Sequence, residues 1–320
     1  MSCRKTVTLL TLITSVCFVT TIDAQSTIDR HRTPWDTPDL QGVWDYRTLT
    51  PLERPNEFEG RTSLSPEELA AFTARTLARR NNDQRREGEA DVRGAYNDFW
   101  LDYGSEASAT GQTSLIVVPS DGKIPDLTEL GEGRFAEIQA RRQRGAWGPE
   151  DRNVAERCLL GFNGGPPLNP SVYNNNFQLF QTKDHVVLLI EMVHDARIIP
   201  IADRSHLPGH MRQWRGDSVG RWDGDTLVVD TSNLTDKTSF RGSGQNMHLV
   251  ERFTRVDEDT LLYEYTIHDP ESFTQDLTVS VPTKKNSSPI YEYACHEGNY
   301  GMTNLLAGAR NLEREQADRD

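Results

Sequence analysis

From Tyr173 onward the chain alternates apolar and polar residues in short runs, the two-residue period of a strand whose side chains point to opposite faces. The runs are Phe177–Thr182, His185–Glu191, Arg197–Ile201, Ser218–Trp222, Thr226–Thr231, His248–Val256, Thr260–His268, Gln275–Val281 and Pro289–Cys295. Turn-forming residues separate several of them: Lys183-Asp184, Asp223-Gly224 and Asp257-Glu258-Asp259. Asp-Gly between two alternating runs is the strongest hairpin signal in the chain. Short strands joined this way form an antiparallel meander, and closure into a barrel removes its exposed edges.

Upstream the period changes. Ser65-Pro66-Glu67-Glu68 starts a helix, with Ser65 as cap, Pro66 in the first turn and Glu68 completing a capping box. This helix runs to about Arg80 and places Leu69, Phe72, Thr73, Thr76 and Leu77 on one side. A second helix is expected around Arg134–Arg144 and a third, amphipathic, from Met302 to about Ala317. Leu40–Tyr46 and Thr113–Val118 are short strands, and Gly161–Pro170 is irregular by composition. The fold class is therefore mainly β: an antiparallel meander or barrel, lipocalin-like or related, with a few peripheral helices. Residues 25–172 form an arm and helices that wrap the barrel, and residues 173–320 form the barrel with its C-terminal helix.

Residues 1–24 have a different character. Arg4 and Lys5 precede an uncharged apolar stretch from Thr6 to Thr20, and Ile22-Asp23-Ala24 is an acceptable cleavage site. This is the pattern of a signal peptide, so the protein is expected to be exported, periplasmic or extracellular. The apolar stretch is shorter than the roughly 20 residues of a spanning helix, so no membrane span is expected. The formal net charge of −13 becomes −14 once Arg4, Lys5 and Asp23 leave with the signal, which disfavours nucleic acid as a partner. Of the four cysteines only Cys158 and Cys295 remain in the mature chain. In an oxidising compartment they most simply form one disulfide; the alternative is a catalytic thiol at either position.

Candidate chemistry gathers near the C-terminus. On the expected strand Pro289–Cys295 and the turn after it, Glu292 and His296 share one face, while Tyr291, Tyr293 and Cys295 share the other. Glu264 and His268 lie together on the run Thr260–His268. Glu191, His194 and Arg197 cluster at the end of the most apolar strand, and histidine titrates near neutral pH without perturbation. The candidate catalytic residues are His296, His194, Glu264, Glu292, Arg197 and Tyr300; the candidate substrate contacts are Glu191, Trp222, His268 and Tyr173. Two further motifs carry less. Gly216-Asp-Ser218-Val-Gly220 matches a nucleophile elbow in letters but lacks the helix that should follow. His206 and His210, with a carboxylate such as Asp203, would make a loop metal site, but Pro208 and Gly209 break the helix that this spacing needs. No dinucleotide fingerprint, P-loop, HExxH or paired CxxC is present, so no cofactor is expected.

The stretches Leu40-Gln-Gly-Val-Trp44, Thr113-Ser-Leu-Ile116 with Asp121-Gly122, Glu156-Arg-Cys158, the segment from Gly216 to Thr231 (pattern GDSxGRWxGDTLVVDT) and Tyr291–Tyr300 (YEYACHEGNY) extend over nearly the whole mature chain. Together they resemble a family of exported bacterial proteins to which no activity is attached. The resemblance implies that Cys158 and Cys295 are a matched pair and that the chain is one module. The function expected from the residues is cofactor-independent acid–base catalysis, as a lyase, isomerase or cyclase, on a small organic molecule in a barrel pocket. His296 or His194 would move the proton, Glu264 or Glu292 would orient or share it, Arg197 would hold an oxyanion and Tyr300 would donate to an oxygen. Two alternatives stand beside it: a hydrolase using Ser218 or a metal-bound water, and a non-catalytic carrier of an apolar ligand.

Overall fold

The structure, a computed structural model, describes residues 31–83, 87–93, 98–237 and 240–319. The signal peptide expected over residues 1–24 lies outside the described residues. Ten strands follow in chain order: β1 (Gly42–Asp45), β2 (Ile116–Val118), β3 (Asn176–Gln181), β4 (His185–Ile190), β5 (Asp195–Pro200), β6 (Asp217–Asp223), β7 (Thr226–Ser232), β8 (His248–Arg255), β9 (Thr260–His268) and β10 (Leu277–Asn286). Four α-helices accompany them among the described residues: α1 (Pro66–Arg80), α2 (Glu89–Arg93), α3 (Glu129–Gln143) and α4 (Tyr300–Ala317). The expected capping box is present, with the Glu68 amide donating to Ser65 Oγ and the Ser65 amide to Glu68 Oε2. Phe72 anchors α1, its ring edge-on to Phe58 at 5.6 Å in a small cluster apart from the main core.

Nine strands follow one another around a nearly closed antiparallel barrel in the order β5-β4-β3-β1-β10-β9-β8-β7-β6, while β2 pairs with β10 outside that path. Eight of the nine come from two consecutive runs, β3–β5 and β6–β10. The ninth is β1, which joins the runs by pairing with β3 on one side and β10 on the other. The segment before residue 172 thus does more than wrap the barrel, because it supplies one of its staves.

The alternation in sequence becomes an alternation of burial. Leu249, Glu251 and Phe253 of β8 and Leu261, Tyr263, Tyr265 and Ile267 of β9 point inward and are essentially inaccessible. The rings of Tyr46, Phe177, Phe253, Tyr263 and Tyr265 form a continuous series across the interior, with successive centroids 6.2, 6.3, 4.9 and 5.8 Å apart. With Trp44 and the inward aliphatic residues, they occupy the barrel as a packed core.

One expected strand is absent. Residues 289–295 are irregular, whereas β10 extends to Asn286 and passes through Pro282. β10 is flanked by β9 on one side and by β2 and then β1 on the other, so no edge there is left for an eleventh strand. Pro282 is tolerated because it falls between the positions that pair with β2 (Thr278, Val279) and those that pair with β1 (Lys284 onward), where no ladder bond is asked of it. The segment is held by the Cys158–Cys295 disulfide, which joins residues 137 positions apart, and by Tyr293 packing on the core. On the chain-entropy account a loop of that size contributes about 4–5 kcal/mol.

The strand order ends at β5 and β6, which run parallel and meet at one backbone bridge, Ile201 with Gly220, where the Ala202 amide donates to the Gly220 carbonyl at 3.2 Å. Side chains complete this seam. Arg197 of β5 donates to Ser218 Oγ of β6 (2.8 and 3.1 Å), to Thr231 Oγ1 of β7 (2.7 Å) and to Glu251 Oε2 of β8 (2.5 Å). Tyr263 of β9 donates to the second Glu251 oxygen at 2.9 Å. The two glycines of the Gly216–Gly220 motif serve the same closure. A Cβ on Gly220 would lie 2.7 Å from Ile201, and Gly216 combines a φ of +70° with a place where a Cβ would meet the Ser232 carbonyl at 2.4 Å. Removing one partner of a buried ion pair leaves the other uncompensated, at a cost of about 3–5 kcal/mol. Glu251→Ala should therefore lower unfolding stability by roughly that amount in urea titrations. The double change Arg197→Met with Glu251→Leu should recover most of the loss, because apolar replacements of similar size leave no buried charge. An unshifted midpoint for Glu251→Ala would show that the seam does not depend on this pair.

Candidate functional site

Residues 158–175 fold across the barrel end that carries the β4–β5 turn, and their polar backbone is satisfied from below. The Leu168 amide donates to the Tyr263 hydroxyl at 3.0 Å, and the Tyr265 hydroxyl donates to Asn169 Oδ1 at 2.7 Å. Burial holds both phenols well above their ordinary range; for Tyr263 the nearby Glu251 adds to the effect. Asn163 Nδ2 donates to the Tyr173 and Asn174 carbonyls and to Asn175 Oδ1, at 3.1, 3.1 and 3.2 Å. Leu168, nearly inaccessible, faces the core beneath this cap.

Above the cap lies a cleft of about 830 Å³. Its floor is the cap itself, at Gly165, Pro166, Pro167 and Asn169. One wall is the C-terminal half of α3, a second is the segment from Arg144 to Arg157, and Trp214, Lys237 and Phe240 close the remaining side. α3 is positioned from its start: Thr128 caps it, a Cβ on Gly131 would overlap the Ser272 carbonyl, and Arg134 reaches Ser272 Oγ and Glu271, both at 2.9 Å. The disulfide backs the second wall. Cys295 is bonded to Cys158, and Asn299 Nδ2 donates to the Glu156 carbonyl at 2.8 Å, so the segment carrying His296 and Tyr300 lies behind Glu156 and Arg157.

The residues singled out from sequence are not drawn into one constellation. Arg197 is deep in the barrel and committed to Glu251, Ser218 and Thr231. Glu264 is on the outer face of β9, opposite Arg252, because the aromatic side of that strand took the interior. Glu292, His296 and Tyr300 are exposed on the disulfide-held segment, and His194 is exposed in the β4–β5 turn with a φ of +53°. Glu191, buried, accepts from the Asn176 side chain at 2.8 Å; Trp222 and Tyr173 pack against the core; His268 is paired with Asp276 at 2.7 Å on the surface. Ser218 is 7% exposed, and its partners are Arg197 and Thr231, with no imidazole among them. The cleft residues Arg141, Arg142, Arg157, Trp214 and Lys237 were not among the candidates. Their one sequence signal was the basic stretch Arg141-Arg142-Gln143-Arg144 in an acidic chain.

A second polar cluster lies outside the barrel beside the seam. His206 does not meet His210; its Nδ1 lies 3.0 Å from Asp217 Oδ2 and its Nε2 lies 2.8 Å from Asp230 Oδ1, an oxygen that His248 Nε2 also approaches at 2.7 Å. Arg204 grips Asp217 with two bonds, 2.9 and 3.1 Å. Burial pushes the Asp217 carboxyl up, but Arg204, the Leu207 amide and His206 outweigh it and hold it at about 2. Asp230 is likewise lowered, its partial burial outweighed by the two histidines. Among the described residues no group of three His, Cys, Asp or Glu side chains is arranged to hold a metal ion, and no helix is long and apolar enough to cross a membrane.

The hydrogen bond to Asp230 raises His248 above its ordinary range, against the opposing effect of burial. A raised imidazole contributes stability that is fully present below its unfolded value, near 6.5, and is lost as pH rises through the higher folded value. Wild type should therefore lose more stability than His248→Gln between pH 5.5 and pH 8.5 in paired urea titrations; identical pH dependence would remove His248 from the account. No family model matches this chain, and no curated protein or solved structure matches it either.

Proposed function

We propose that the protein is exported and binds a small organic molecule in the cleft above the capped barrel end. The observation that carries this reading is the contrast between a barrel interior filled by side chains and a drug-sized concavity directly over its cap. A ligand held there would rest on Pro166 and Pro167 and be flanked by Trp214 and Phe240, apolar surfaces beside a ring of charged groups. A carrier and an enzyme would use such a cleft alike, since the barrel alone favours neither.

One observation favours adding acid–base catalysis to binding. The disulfide and the Asn299 bond hold the exposed His296 and Tyr300 beside the wall made by Glu156 and Arg157. Neither residue lines the cleft, so in this reading the bound molecule extends past the rim of that wall, where His296 carries the proton and Tyr300 donates to an oxygen, without an organic cofactor. Glu292 belongs to the same segment and would orient the imidazole.

The binding test uses the mature protein and a bulky change inside the cleft. Small molecules retained from a cell extract after gel filtration, identified by mass spectrometry, should be lost or reduced at least about tenfold in Ala155→Trp, because the indole occupies ligand volume. Equal retention by both proteins would place the ligand elsewhere. If the retained molecule is consumed, or takes up solvent deuterium in D2O, His296→Ala should slow that change by about 10²-fold or more while retention persists. An unchanged rate would leave the protein a carrier.

A further inference from the structure

The charge of the cleft runs against the charge of the chain. The protein as a whole is at −13, yet six cations and four carboxylates line this one concavity. Two of the carboxylates are consumed locally: Asp151 pairs with Arg144 at 2.9 Å, and Glu156 with Arg152 at 2.6 Å. That leaves Arg141, Arg142, Arg157 and Lys237, whose charged ends have no hydrogen-bond or ion-pair partner among the described residues, against Glu150 and Asp236. The four cations approach from three elements, with Arg141 and Arg142 on α3, Arg157 on the disulfide-backed wall and Lys237 across the cleft. Between them lie the flat apolar surfaces of Trp214, Phe240 and the paired prolines.

Resting on the binding reading above, we propose that the ligand is an organic dianion with a cyclic or aromatic body, its acidic groups directed to opposite walls. A guanidinium meets a carboxylate or a similar oxyacid through parallel hydrogen bonds, and its face stacks on a planar ring. Two acid groups match the two excess positive charges that remain after Glu150 and Asp236 are counted. A ring matches the apolar surfaces and a volume of about 830 Å³, far larger than an inorganic anion requires. Strands of nucleic acid are disfavoured by the charge of the rest of the surface.

The test is calorimetric titration of the mature protein at low ionic strength with naphthalene-2,6-dicarboxylate and with its uncharged analogue 2,6-bis(hydroxymethyl)naphthalene. The expected result is binding of the diacid and at least tenfold weaker binding of the diol. Arg142→Ala and Arg157→Ala should each weaken the diacid about tenfold, the size of a lost charge-assisted hydrogen bond, and added salt should do the same. Equal binding of diacid and diol, insensitive to both substitutions, would overturn the charge assignment while leaving the cleft as a small-molecule site. Binding of neither would overturn the cleft reading as well. Diacid binding unaffected by Arg142→Ala, Arg157→Ala and Ala155→Trp would place the anion site elsewhere on the molecule.

Discussion

The Arg197–Glu251 pair is the interaction on which the barrel depends. β5 and β6 are the two ends of the strand order, and they share only one backbone bridge. A single guanidinium spans this gap, reaching Ser218, Thr231 and Glu251 on three successive strands. Glu251 passes the connection to Tyr263, and Tyr263 passes it to the Leu168 amide of the cap. A buried charge pair is costly to desolvate and offers little net stability against an apolar alternative. What it offers here is direction: a parallel seam with almost no ladder is tied at one register, and the same hydrogen-bonded chain seats the cap.

Most of the architecture was legible because a strand announces itself by its period. Which side is inward was left open by the alternation, because these strands carry ionisable groups on both faces; the structure encloses the face on which Phe253, Tyr263 and Tyr265 stand with Leu249 and Leu261. Glu251 sits on that face and Glu264, the candidate from sequence, on the other, so the carboxylate with the interior role is the one that the sequence reading passed over. What periodicity does not encode is whether an edge is free. Pro289–Cys295 alternates as well as any true strand, but both sides of β10 were already occupied, one of them by residues 43–45 from the far end of the chain.

The cleft was illegible for a related reason. Its floor and two walls come from one continuous stretch, Ile138 to Asn169, but that stretch forms a concavity only where α3, the disulfide-backed segment and the cap each dock on the barrel end, and Trp214, Lys237 and Phe240 reach it from farther along the chain. The run Arg141–Arg144 is visible as charge, but its concavity depends on Gly131 and Arg134 settling α3 against residues 271 and 272. The Gly-x-Ser-x-Gly letters show the converse. A pattern associated with nucleophiles is here a device of strand geometry, with glycines permitting close approach and the serine accepting from an arginine. With the interior occupied by rings and the seam's charges neutralised internally, chemistry directed at a ligand is displaced to the rim and the outer surface of the cap.

The position of β1 bears on how the chain reaches this structure. The strand made first lies between β3 and β10, and its partner in β10 is the strand made last, with residue 43 opposite residue 286. The β3–β5 run can take up β1 as soon as it is made, but the β6–β10 run joins it only when the last strand pairs with the first. Closure therefore waits until β10 is made, and contacts of such long range are slow to form. Until then the hairpin runs β3–β5 and β6–β10 present unpaired edges, which makes the interval before closure the period of greatest exposure to misassembly.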